Sequence, residues 1–157
     1  NMVSLFLTEG EKVLLLYREG SKVANHLWIA SAGGHMEKDE LNNARQAVLR
    51  ELKEETGLSE ADIRGLKLKY VTLRNAQGEL RQNFYFFAEL PEGEGRPLAS
   101  TEGTLQWFAF SETESLPMPF SARHALRHYI QTGRKDDALY GGVADGKGVC
   151  FTELKPF

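Results

Sequence analysis

Residues 43–58 read NARQAVLRELKEETGL. Good helix formers fill the stretch, and apolar residues recur at Val48, Leu49 and Leu52, so it predicts an amphipathic helix. Asn43 offers an N-cap oxygen and Gly57 a left-handed terminator. Glu51 and Glu55 fall about 40° apart on such a helix, with Glu54 beside them. Val48, Leu49 and Leu52 are expected to face the core. Ala44 and Ala47 lie on the acidic side, where small side chains leave room for a close approach. Like charges at this spacing repel. A solvated face partly neutralised by Arg50 and Lys53 would explain the cluster. So would a site for a hard divalent cation, because bound Mg²⁺ or Mn²⁺ removes the repulsion.

The rest of the chain bounds the setting. Its 157 residues, 41% hydrophobic and 26% charged, suit one soluble domain over 1–157. The net charge of −3 gives no basic field for a nucleic-acid polymer, although a nucleotide needs only a local pocket. One cysteine, Cys150, excludes an intramolecular disulfide and fits a reducing, cytoplasmic setting. No apolar run approaches membrane-spanning length, so no membrane partner is expected, and a homodimer is left open. Asn1 precedes Met2 and reads as a remnant of a tag.

Strands are expected in MVSLFLT and KVLLLYRE around a tight turn, in HLWIASAGG, in KLKYVTLRN and ELRQNFYFFAEL around NAQG, and in TLQWFAF. SARHALRHYIQTG reads as a second helix and GVADGKGVCFTEL as a last hairpin. Strands and helices intermix, which argues for an α/β fold with helices packed on a mixed sheet.

Upstream of the acidic helix, SAGGHMEKDE supplies a Gly-Gly pair and the loop acids Glu37 and Glu40. Glycine there lets backbone approach a ligand closely. The order of strand, Gly-Gly, acidic loop and R-E-x-x-E-E-x-G helix resembles the Nudix box. Gly34 and Glu40 match its first half. Arg50, Glu51, Leu52, Glu54, Glu55, Gly57 and Leu58 match every position of its second half. Nine residues separate Glu40 from Arg50 where the family has seven. The extra two are expected in the loop EKDEL, with the helix starting at Asn43 or one residue earlier. Glu37 or Glu40, on a flexible tether, would then take at most a secondary metal or water-mediated role.

The resemblance implies an α/β/α sandwich around a mixed sheet and a Mg²⁺- or Mn²⁺-dependent hydrolase of a nucleoside diphosphate derivative. It implies Glu51, Glu54 and Glu55 as metal ligands and Glu51, Glu54 and Arg50 as catalytic residues, Glu51 as ligand or water-activating base and Arg50 as the group that orients a glutamate. The Gly34 carbonyl and Glu102, from a distant loop, are further candidate ligands. Arg18, Arg81, Trp28 and Phe84 are candidates for substrate contact, through phosphate pairing or base stacking. For these four, a solvated charge or a core aromatic is the plainer alternative. His26 and His35 are read as surface or structural residues. No proline lies between Gly57 and Pro91, and little precedes the first strand. Both features tilt the resemblance towards the compact branch acting on oxidised nucleotides such as 8-oxo-dGTP, over ADP-ribose or dinucleoside polyphosphates. An isomerase of the isopentenyl diphosphate type would want a cysteine near the site, and Cys150 lies far along the chain. A non-catalytic binding module would be expected to lose box glutamates, and all three are present.

Overall fold

The computed structural model describes residues 1–20 and 26–157. Strands β1 (Met2–Glu9) and β2 (Lys12–Arg18) form the first hairpin. They are followed by β3 (Leu27–Ile29), β4 (Ala32–His35) and helix α1 (Ala44–Thr56). Strands β5 (Arg64–Ala76), β6 (Glu79–Glu89) and β7 (Thr104–Ala109) come next. Helix α2 (Phe120–Gln131) and the hairpin β8 (Leu139–Ala144) and β9 (Val149–Leu154) complete the chain. Among the described residues the strands join in one sheet, ordered β3-β2-β1-β6-β5-β8-β9, with β4 added beside β1 and β7 beside β2. The β1–β6 and β5–β8 pairs are parallel and the rest antiparallel, so the sheet is mixed as expected.

Alternation along the strands divides the core in two. Val3, Leu5, Leu7, Leu14 and Phe86 point to one face and pack on Val48 and Leu52 of α1. Phe6, Val13, Leu15, Tyr70 and Tyr85 point to the other and pack on Ala125 and Leu126 of α2. Central strands buried on both sides, with a helix on each face, make the expected α/β/α sandwich. Val48 and Leu52 are fully buried, each contributing about 1.5–3 kcal/mol.

Expectation and structure differ at HLWIASAGG, which forms two strands rather than one. The break follows from Ser31, whose Oγ donates to Leu14 O at 2.6 Å and accepts from Leu7 N–H at 2.9 Å. The buried hydroxyl sits where β1 changes neighbours, from β4 at residues 2–5 to β2 at residues 7–9.

Helix α1 starts and stops where its sequence indicates. Asn43 Oδ1 accepts from Gln46 N–H at 3.1 Å, and Gly57 has φ 76° with its N–H donating to Lys53 O. The two extra residues of the box therefore lie outside the helix. Lys38–Glu40 form one 3-10 turn, Leu41 and Asn42 a further turn, and Asn43 the cap. Ala47 is fully buried against the sheet, so its small side chain admits a strand rather than a ligand.

Candidate active site

Helix α1 lies across β4 and β1, and its buried stripe runs through Ala47, Glu51 and Glu55. The two carboxylates do not enter apolar core, because β4 opposite them is built from Gly33 and Gly34. Gly33 N–H donates to Glu55 Oε2 at 3.2 Å. A Cβ on Gly34 would stand 2.4 Å from Glu51 Oε1, so only glycine leaves that oxygen its place. This is the local reason for the Gly-Gly pair.

Arg50 braces the cluster from the side. Its Nη1 donates to Glu51 Oε1 and to Glu54 Oε2, each at 3.0 Å. Its Nε and Nη2 form a two-point contact with Glu40 at 2.7 and 3.0 Å, and Nη2 also reaches His35 O at 3.2 Å. One guanidinium thus satisfies three carboxylates and a strand carbonyl, as its planar fork allows. Glu37 stands at the margin, 3.9 Å from Arg50 Nε and largely exposed.

The flexible tether expected for Glu40 is contradicted. Its carboxylate is only 1% exposed and also accepts from Glu37 N–H at 2.9 Å. The hydrogen bonds from Arg50, then that from Glu37, hold it below the usual carboxylate range against the opposing effect of burial. The extra residues follow Glu40, so the spacing from Gly34 to Glu40 is undisturbed and Glu40 reaches Arg50 directly.

Glu55 has the opposite environment. Burial pushes its carboxyl up to about 7, and the charges of Glu51 and Glu102 add to the rise, while the Gly33 N–H and Arg18 oppose it. Among the described residues no side-chain cation hydrogen-bonds to Glu55, in contrast to Glu51 and Glu54. Glu102 is brought to this end of the site by its loop, since Thr101 N–H donates to Glu55 O at 2.9 Å. Arg18 Nη2 pairs with Glu102 at 2.9 Å, so Arg18 reaches the site through that acid.

The other candidates lie elsewhere. Trp28 packs edge-on against Phe108 and beside Tyr17, in the core on the α2 side of the sheet. Phe84 faces the α1 side and packs with the sheet core there, lining a hollow at the N-terminal end of the helix. Arg81 sits near the tip of the β5–β6 hairpin and pairs with Glu79. His26 stays near Tyr17, its Nδ1 3.2 Å from the hydroxyl. The His35 carbonyl, as a brace for Arg50, carried no signal in the sequence because the contact belongs to the backbone.

The donor set suits a hard cation: carboxylate oxygens from α1, a glycine strand and a loop acid. Among the described residues no three His, Cys, Asp or Glu side chains yet converge on one point. Glu54, 58% exposed, leans on Arg50, and would have to turn from that contact to face a cation beside Glu51 and Glu55.

A mixed sheet between two helices, carrying this carboxylate face on its glycine strand, defines a class of pyrophosphate-cleaving hydrolases. Residues 1–129 match the family model of the NUDIX domain, and the chain belongs to the Nudix family of pyrophosphohydrolases, which act on acid anhydrides. Among solved structures it is similar to the mutator MutT protein from Bacillus halodurans. The identity is 23%, the match covers 98% of this chain and 94% of that one, and the TM-score is 0.63. A C. elegans Ap4A hydrolase is 18% identical, with 86% and 98% covered and a TM-score of 0.65. The NUDIX domain of Shewanella oneidensis NrtR, complexed with ADP ribose, is 18% identical, with 85% of each chain covered and a TM-score of 0.58. At these identities the likeness concerns the fold. No curated protein matches the sequence.

Proposed function

We propose that this chain is a Mg²⁺- or Mn²⁺-dependent hydrolase that cleaves a diphosphate linkage in a nucleoside triphosphate, with an oxidised nucleotide such as 8-oxo-dGTP as substrate. The observation that carries the proposal is the pair Glu51 and Glu55, buried against Gly33 and Gly34 beside the exposed Glu54. Glu51, Glu54 and Glu55 would hold the cation, with the Gly34 carbonyl and Glu102 as further oxygen donors. A bound divalent ion would neutralise the diphosphate and acidify a bound water.

The chain's own residues supply position and proton acceptance. Arg50 fixes Glu51 and Glu54 relative to each other, so it acts as a positioning residue. Glu40 fixes Arg50 in turn, from a buried position. Glu51 Oε2 lies outside the contact with Arg50, which engages Oε1, and serves as the proton-accepting atom. Phosphoryl transfer needs little covalent work from the protein, so positioning and charge dominate the rate.

The test is a panel of 8-oxo-dGTP, dGTP, Ap4A and ADP-ribose with Mg²⁺ or Mn²⁺, with products identified by mass spectrometry. Release of pyrophosphate and 8-oxo-dGMP with the highest kcat/KM is the expected result. Preference for Ap4A or ADP-ribose would reassign the substrate, and inactivity on all four would end the proposal. Mn²⁺ binding followed by electron paramagnetic resonance, in the native chain and in Glu54→Ala, checks the donor set separately from turnover.

A further inference from the structure

The sheet is wider than the helix that covers it. Helix α1 packs on β1 and β4, whereas the same face continues across β6, β5, β8 and β9. Register identifies the side chains that this extension presents. One cross-strand row consists of Gln82, Leu73, Val143 and Cys150. The next row inward begins with Phe84 and Val71. Val143 is 60% exposed, and Leu154, further along β9, is 47% exposed. On the reverse of the same strands Tyr70, Thr72, Tyr85 and Tyr140 are buried, so the second helix covers one face and leaves the other bare.

Among the described residues, none of these four strands places a charged side chain on the bare face. Alternation sends Arg74, Glu79, Arg81 and Glu153 to the reverse. In a chain that is 26% charged, this one-sided distribution marks a surface that is not spent on solvation.

We infer that this face is a two-fold interface, and that its occupant is a second copy of the same chain. Three observations favour the copy over another partner. An isologous contact sets a patch against itself, so any charge near its axis would meet its own like. The strand surface avoids that repulsion, Arg45 at the edge of the face being paired with Glu60, and it also lacks the complementary charges that steer a different protein.

The second observation is shape. Where β5 and β6 meet the N-terminal end of α1, a hollow of about 500 Å³ is floored by Leu66, Leu68, Phe84 and Phe86 and edged by Leu41 and the polar Asn42, Asn43 and Arg45. On the same face Leu80 is 73% exposed, four residues along β6 from Phe84 and therefore about 13 Å away. A two-fold axis between knob and hollow would seat each Leu80 in the hollow of the other copy.

The third observation is size. Four strands about 4.8 Å apart, over the roughly 20 Å from Leu80 to Phe86, give a flat projection of roughly 400 Å². The relief of the side chains, the hollow and Leu41 raise the accessible area above that projection. The patch per copy is thus on the scale of the ~500 Å² half share of the ~1,000 Å² total that a specific interface needs. Leu41 belongs to the turn that holds the two extra residues of the box, so the lengthened loop contributes to the rim.

Sedimentation velocity on the full chain across about 1–100 μM tests the inference at concentrations that bracket a micromolar Kd. A dimer that populates with concentration is expected. Val143→Glu and Leu80→Glu change exposed positions outside the active site, so each is expected to keep the native melting temperature and circular dichroism. Each should nevertheless weaken the dimer at least ~30-fold, because an unpaired carboxylate is buried on association. A native chain that stays monomeric at the highest concentration overturns the inference, as does a monomer that cosediments with phosphatidylcholine vesicles. A native dimer that both charged variants leave intact overturns it as well, since the contact would then lie elsewhere.

Discussion

Replacing Glu40 with alanine separates a structural carboxylate from a metal ligand. Glu40 accepts two hydrogen bonds from Arg50 and one from Glu37 N–H, and only 1% of its surface is exposed. Removing one member of a buried ion pair costs about 3–5 kcal/mol, because the other charge is stranded. Here Arg50 keeps Glu51, Glu54 and the His35 carbonyl, and its side chain is 21% exposed, so the cost falls to about 2 kcal/mol. For a chain of this size that lowers Tm by about 4–8 °C. Calorimetry on the metal-free protein at neutral pH measures it. The effect also has a sign in pH. Glu40 titrates below its ordinary 4.5 in the folded chain, so its contribution is complete above 4.5 and is lost as pH falls through the folded value. The difference in Tm between native protein and Glu40→Ala should therefore close on acidification below pH 4.5. A drop under about 2 °C, together with Mn²⁺ affinity reduced as far as in Glu54→Ala, would show Glu40 to be a direct ligand and refute this account.

Further outcomes are expected. Activity should need Mg²⁺ or Mn²⁺ and disappear in excess EDTA, and Glu55→Gln should lower kcat at least about 100-fold, as loss of a main electrostatic contributor does; full rates in EDTA would contradict this. Glu54→Ala removes a contact that is 58% exposed, so Tm should move by no more than about 2 °C while metal affinity falls, read by calorimetry and by Mn²⁺ titration. Gly34→Ala forces Glu51 from its position, so kcat/KM should collapse in a chain whose circular dichroism is native. Asn43→Ala removes the cap on Gln46 N–H and should cost about 1 kcal/mol in urea unfolding, with kcat little changed.

The helix was legible in the residues themselves because its determinants are local. Asn43 and Gly57 act within a turn of their own positions, and the apolar spacing of Val48 and Leu52 needs only the helical period. The glycine pair, the glutamates and Arg50 were likewise visible as a pattern, since a helix and a short loop place them by chain connectivity alone. What Ala47 meets, by contrast, depends on β4 and β1 arriving over it, and no local rule shows whether a small residue admits a strand or a ligand.

Tertiary structure decided the rest. Whether Glu40 is mobile or buried depends on Arg50, ten residues away, and on where the turn at Leu41 and Asn42 directs the chain. Glu102 joins Glu55 only because Thr101 donates to the carbonyl at the end of α1, a contact across 46 positions. The same holds for the aromatic candidates. Trp28 and Phe84 look alike in the sequence as strand aromatics, yet alternation in the sheet sends one to the α2 core and the other to the α1 side. Sequence by itself determined the acidic helix, its ends and the family pattern it carries, because those rest on short-range geometry. Which side chains share a face, and which charges are buried, was decided by the pairing of distant strands, since burial depends on what packs opposite and that partner can come from anywhere in the chain.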